Sequence, residues 1–368
     1  MRTLFLLAAL LVLAVVAACG SDSQTPPAGA NAIVFTATGQ HRTHLYIISA
    51  DRGGQRQLTS GQQIEGWPLW SPDGAQIAFL RFAAFGQVPG RAVNAGSSER
   101  LGLVILELEE GGEIVLDKAA TSFSYAEGLG WSPDGRRIVY SALEPTAEGR
   151  KGGIFVVDSS GGAAPLHVIA DESASTPAWS PDGEQITFAS DAEVSDPDRR
   201  EMDIFVMRPD GTNVRQLLTS EGGGIAPVWS PDGRRIAWSG HSPDGPVDGL
   251  FIAQADGGEL VDLGTGRNPV WSPDGKKIAL VDIDNDAGAI KSIGIVVVDV
   301  ETGERQNLTN SPAYEDWPTW SPDGKRIAFV SDRDDERGEI YIMDADGSDV
   351  RRLTDNDLAE VMIAWSPR

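Results

Sequence analysis

Hydrophobic positions along this chain come in short runs of roughly four to six residues, each closed by glycine, proline, aspartate or serine, which is the signature of many short strands. Residues 317–354 show one complete unit. Trp317-Pro-Thr-Trp-Ser reads as a first strand, Ser321-Pro322-Asp323-Gly324 as a turn, and Arg326 to Val330 as a second strand. A charged loop, Ser331 to Gly338, leads to a third strand, Glu339 to Met343. A turn from Asp344 then leads to a fourth, Val350 to Thr354. The spacing predicts four antiparallel strands per unit.

The unit repeats. Trp-Ser-Pro-Asp-Gly begins at Trp70, Trp131, Trp179, Trp229, Trp271 and Trp320, and a shortened copy begins at Trp365. The tryptophans are 61, 48, 50, 42, 49 and 45 residues apart, a period that marks a repeat architecture. Proline suits the second position of a type I turn, serine the first and glycine the last. Glycine also accepts the left-handed conformation that closes a bulged hairpin. Six copies of Asp73, Asp134, Asp182, Asp232, Asp274 and Asp323 therefore read as turn formers rather than as a metal or acid–base set. The tryptophans read as wedges between neighbouring units, each with one N–H to satisfy.

Second strands begin at Ala32, Gln76, Arg137, Gln185, Arg235, Lys277 and Arg326, so seven units are expected. The first unit lacks its first strand, and the last segment, Val361 to Pro367, is a first strand with nothing after it. The two fragments complement each other. The expectation is an all-β propeller of seven four-stranded blades over residues 32–368, closed when the C-terminal strand completes the first blade. Six blades is the alternative, if residues 32–60 pack otherwise.

Trp-Ser-Pro-Asp-Gly-Lys-x-Ile-Ala-Phe, then Ile-Tyr-Ile-Met-Asp-Ala-Asp-Gly-Ser, then Arg-Leu-Thr, resembles the WD-repeat-like β-propellers typified by the TolB propeller. The resemblance covers residues 32–367. It implies a propeller of that type without the N-terminal α/β domain and six-bladed ring that TolB proteins carry. Related propellers stand before a serine hydrolase domain in some peptidases, and the chain is not expected to hold one.

Charge narrows the partners. Formal net charge is −24 over 368 residues, which argues against nucleic acid and against a basic patch docking on anionic lipid. A basic protein or peptide is the complementary partner. Leu4 to Val16 is an apolar stretch too short to span a bilayer and reads as an export signal over residues 1–18. Its end, Val16-Ala17-Ala18-Cys19-Gly20, resembles a bacterial lipoprotein lipobox. That resemblance implies lipidation at Cys19, the single cysteine, and an extracytoplasmic protein held at a membrane by residues 19–31, a polar tether. Gly20 after the cysteine implies, by the same analogy, passage to an outer membrane where one exists.

Candidate chemistry is sparse. First strands should line a central channel, with the turns on one face and the variable loops on the other. Those loops are Arg81 to Leu101, Ala142 to Gly152, Ser190 to Met202, Ser239 to Asp248, Val281 to Ile293 and Ser331 to Gly338. Glu65, Glu127, Glu315, Asp316 and Glu360 precede their tryptophans by four or five residues and should gather at the channel mouth, Arg267 being the exception. Asp282, Asp284 and Asp286 alternate as in a calcium loop, but the glycine falls one place late and no bidentate glutamate follows. His41 and His44 read as surface residues. Gly-x-Ser-x-Gly, His-Glu-x-x-His and a phosphate-cradling loop are all missing. The expected function is a monomeric module that binds an envelope protein or peptide. The alternatives are a lyase or lactonase using a divalent ion in the channel, and carbohydrate binding at the cell surface.

Overall fold

The computed structural model describes residues 31–39, 42–82, 102–117, 128–146, 149–191, 202–218, 223–241, 248–286 and 289–367. Within them the chain forms seven four-stranded antiparallel sheets and no helix. In blades 2 to 7 the strands run from inner to outer in chain order. Their inner strands are Ile64–Trp70, Leu129–Trp131, Ser175–Trp179, Ile225–Trp229, Arg267–Trp271 and Glu315–Trp320. Blade 1 takes its inner strand, Ala359–Trp365, from the far end of the chain and pairs it antiparallel with Ala32–Gly39. Ile33 lies opposite Trp365 and Val34 opposite Ala364. The Ser366 N–H donates to the Ala32 carbonyl at 2.8 Å, and the Trp365 indole donates to Asn31 Oδ1 at 2.8 Å. The seven-bladed ring and its closure are therefore as the strand count requires.

The core is divided into seven layers, one in each gap between blades, and each contains one motif tryptophan. This explains why the second strands are apolar at successive positions. Side chains alternate across a strand, and both faces are covered. Ala32 and Val34 join the layer with blade 2, while Ile33 and Phe35 join the layer with blade 7.

Five of the seven motif indoles also reach back by one blade. Trp70, Trp131, Trp229, Trp271 and Trp320 donate to Ala364, Leu69, Ala178, Val228 and Val270 carbonyls at 3.0–3.3 Å. Guanidinium groups add a second tie: Arg137 stacks over Trp179, Arg235 over Trp271 and Arg326 over Trp365, at 4.7–5.4 Å from the ring centres.

In every turn the serine hydroxyl donates to the aspartate at 2.5–2.7 Å. The same aspartate oxygen accepts the N–H two residues on at 3.0–3.1 Å. The turn glycines have φ of 68–73°, a conformation only glycine adopts without strain. At Gly183 an added Cβ would stand 3.5 Å from Pro133 of the preceding blade, so the turns nest around the ring.

Two stretches expected as loops are strands instead. Arg137–Thr146 pairs with Gly149–Asp158, and Lys277–Asp286 pairs with Ala289–Asp299, as long hairpins. The reason is visible in the second case: Val281 and Ile283 alternate with Asp282 and Asp284, which is a strand pattern, so the acids lie on a hairpin arm rather than in a calcium loop. The Asp282 carboxylate is engaged by Arg305 at 2.9 Å and by the Thr265 hydroxyl at 2.7 Å. Most of the Arg81–Leu101, Ser190–Met202 and Ser239–Asp248 loops, and His41 and Cys19, lie outside the described residues.

Candidate functional site

The inner strands surround the axis, and all but that of blade 3 carry the same irregularity. Three residues before the motif tryptophan, the chain enters the left-handed region although the residue is not glycine. This holds for Trp67, Thr176, Ala226, Asn268, Trp317 and Met362, with φ of 48–57°. Strand register slips at the same place in blades 2, 4, 5, 6 and 7, as at a β-bulge. Such conformations cost on the order of 1–3 kcal/mol each and persist only where the surroundings impose them. The bulge leaves these residues solvent-accessible, while the residues after them are buried.

Around the channel this ring runs Met362, Trp67, Gly128, Thr176, Ala226, Asn268 and Trp317. It is one-sided. Trp317, Met362 and Trp67 come from consecutive blades, and small or polar residues occupy the rest. With Leu69, Leu129 and Ile363, these three line an apolar cavity of about 130 Å³. Pockets for drug-sized ligands run to about 300–1,000 Å³, so this one has room for a single apolar side chain. Trp67 is braced edge-on by Phe82 at 5.7 Å, and its N–H points at the Met362 sulfur at 3.3 Å.

The acids anticipated at the channel mouth stand at the loop-rich ends of the inner strands, but their carboxylates are turned into the seams between blades. Glu65, Glu315 and Glu360 are 1%, 0% and 0% exposed. All three occupy the same place in the repeat, six residues after a threonine. Thr59, Thr309 and Thr354 each accept a third-strand N–H, from Leu45, Ile295 and Ile340, at 2.9–3.1 Å. Thr59 and Thr354 then donate their own hydroxyls to the glutamate, while Glu315 Oε1 accepts Ser331 and Arg333. The arrangement latches the outer part of one blade to the inner strand of the next.

The three latches differ in what balances the charge. Glu65 receives Arg81 at 2.7 and 3.0 Å and has the His44 ring 3.6 Å away. His44 is thus a buried neighbour of the latch rather than a surface residue, because its strand end is covered by blade 2. Glu315 receives Arg333, and burial nevertheless pushes its carboxyl above the usual range, with Thr309 and Arg333 pulling the other way. Asp316 is also buried and accepts the Tyr314 hydroxyl at 2.8 Å and the Trp317 N–H at 2.7 Å, with Arg267 at 3.5 Å. Glu127 lies outside the described residues.

Sequence reading put Glu65, Glu315, Asp316 and Glu360 at an open channel mouth, where the structure buries them, and missed the residues that face the channel. The third residue before each tryptophan varies from blade to blade, but so does the fourth, so the sequence alone does not single it out.

A closed ring of seven blades around a lined channel defines this molecule as a β-propeller of the repeat-motif class. Within that class the chain belongs to the TolB β-propeller domain family, whose model matches residues 116–290 and 248–368. No curated protein matches the sequence. Among solved structures it is similar to TolB from Acinetobacter baumannii, with 19% identity, a TM-score of 0.54, and coverage of 93% of this chain and 68% of that one. It is similar also to an oligogalacturonate lyase from Vibrio parahaemolyticus, with 17% identity, a TM-score of 0.63, and 85% and 86% coverage. The β-propeller domain of the Trilobed protease from Pyrococcus furiosus gives 16% identity, a TM-score of 0.63, and 89% and 96% coverage. At these identities the likeness establishes the fold and nothing finer.

Proposed function

We propose that this chain is an extracytoplasmic, membrane-tethered propeller that binds an envelope protein or peptide through its channel and loop-rich face. The observation that carries the reading is the one-sided apolar pocket. Thr176 and Ala226 stand at the equivalent positions of blades 4 and 5, so the repeat itself does not require a large apolar side chain there. Three large apolar side chains held by bulged backbone around a side-chain-sized cavity are what an anchor residue of a partner requires. The scaffold presents them pre-organised, which lowers the entropic cost of binding.

Two further features agree. The chain enters the ring at Asn31, which bonds to Trp365 and to Asp51 on the turn face. A lipid on Cys19 would therefore hold the turn side and leave the loop-rich face open. The net charge of −24 favours a basic partner.

Crosslinking and pull-down from intact cells tests the reading, with the wild-type chain beside a Trp67→Ala/Trp317→Ala variant. A reproducible partner captured by the first and reduced at least tenfold with the second, at unchanged melting temperature, is expected. Finding no partner, or equal capture by both, would overturn it.

A further inference from the structure

The latch at the junction of blades 7 and 1 is unlike the other two. The chain crosses this junction directly from Thr354 to Glu360, and the strand it then enters, Ala359–Trp365, closes the ring without a covalent link by pairing with Ala32–Gly39. Glu65 lies opposite Arg81 in its sheet, and that pairing supplies its cation. Glu360 lies opposite Ala37, so no cation stands there. At the third-strand position where the first latch has His44 and the second has Gly294, the seam has a second carboxylate, Glu339. Glu339 and Glu360 are both 0% exposed.

Their hydrogen bonds are incomplete in a particular way. Glu360 accepts the Thr354 hydroxyl, the Asn356 amide at 2.6 Å and the Ile340 N–H at 3.2 Å. Glu339 Oε1 accepts Arg352 at 2.7 Å and the Asn356 N–H at 3.3 Å, while its Oε2 has no partner among the described residues. Two buried carboxyls thus share one guanidinium, and the remaining charged groups are peripheral. Asp355 pairs with Arg352 from an exposed position, and Arg337 pairs with Asp335 and Asp357 at the surface. From blade 1 come the neutral Gln55, which holds Asn356 at 3.1 Å, and His44, in register with Ala37 one strand further out. An unbalanced charge in such a place is neutralised more cheaply than it is buried. Three ligating side chains for a metal do not assemble there among the described residues, which leaves a proton.

We propose that ring closure is coupled to one proton held at the Glu360–Glu339 pair, so that the seam is tight when the pair is protonated and loosens when it ionises. Burial, with Glu339 adding to it, pushes the Glu360 carboxyl up to about 7 from an ordinary 4.5, against the pull of Thr354 and Asn356. A group raised on folding stabilises the folded state fully below its unfolded value and loses that contribution as pH rises through its folded value. The window therefore runs from about pH 5 to about pH 8. The strand that carries Glu360 also carries Met362 and Ile363, so the loosened element is one wall of the channel.

Hydrogen exchange of the full chain at pH 5.5 and 8.5, corrected for intrinsic rates, reads the seam directly. Protection of the Ala359–Trp365 amides should fall about thirtyfold across that range, while the Ile225–Trp229 strand of blade 5 keeps its protection. Glu360→Gln, a neutral isostere, should hold the seam at one level at both pH values. Glu339→Gln takes away the neighbouring carboxylate and should move the loss of protection to lower pH, and a loss that stays in place would overturn the coupling of the two carboxyls. Seam protection in the wild-type chain that does not change with pH, a measurement needing no variant, would overturn the proposal. So would a Glu360→Gln seam that loosens as the wild type does.

Discussion

In the Ser-Pro-Asp-Gly turn one hydroxyl serves two bonds. Ser230 donates to Asp232 at 2.6 Å and accepts the Arg235 N–H at 2.9 Å. Ser230→Ala removes both and leaves that N–H without its partner at the mouth of a buried strand. The expected cost is about 1–2 kcal/mol, read as a lower urea midpoint at pH 7. The serine hydroxyl is also the first cause that holds the Asp232 carboxyl below its usual range, as happens at Asp134, Asp182, Asp274 and Asp323. A depressed carboxyl contributes stability above its unfolded value and loses it as pH falls through the folded one. The penalty of Ser230→Ala should therefore shrink between pH 7 and pH 2.5. A penalty equal at both would show that the serine–carboxylate bond is not what the turn relies on. This acid-side loss has the opposite sign from the one at Glu360, which appears as pH rises.

At the scale of the element, the inner strand joins neighbouring blades at both ends, by the tryptophan at one and the threonine–glutamate latch at the other. The latches make the second join sensitive to charge. Arg333→Met would leave the fully buried Glu315 without its guanidinium. Removing one partner of a buried pair costs about 3 kcal/mol, and the loss should diminish toward pH 4 as Glu315 takes up a proton. Equal destabilisation at pH 7.5 and pH 4 would mean that Arg333 acts by packing over Phe329 and Tyr341, whose rings it covers at 5.3 and 4.9 Å, rather than by charge.

For the whole molecule, closure rests on one short strand from each end of the chain. Deleting residues 361–368 removes Trp365 and Ile363 from the layer between blades 7 and 1 and exposes the edge of Ala32–Gly39. Losing those two side chains alone costs about 5 kcal/mol or more. The truncated chain should melt well below the full one, and an unchanged melting curve would refute the closure described here.

The blade count, the turn geometry and the closing strand were legible along the chain, because each depends on local chemistry repeated seven times. Proline and glycine set the turn, period-two alternation sets the strand, and the unmatched fragments at the two ends are complementary wherever they lie in space. The outer parts of two hairpins, Ala142 to Gly152 and Val281 to Ile293, read as loops, the second because its acids hid the alternation of Val281 and Ile283 with Asp282 and Asp284. What only the tertiary structure decided is which way the non-repeating residues face. Glu65, Glu315 and Glu360 were placed at the right height and given the wrong surroundings, since a strand sequence tells the face of a residue but not what the next blade sets against it. The pocket of Trp67, Met362 and Trp317 joins residues up to 295 positions apart, and Glu339 meets Glu360 only where blade 7 packs against the strand that closes the ring. Repetition makes a backbone readable from the chain; the chemistry lies where the repeats differ, and differences meet only across the closed ring.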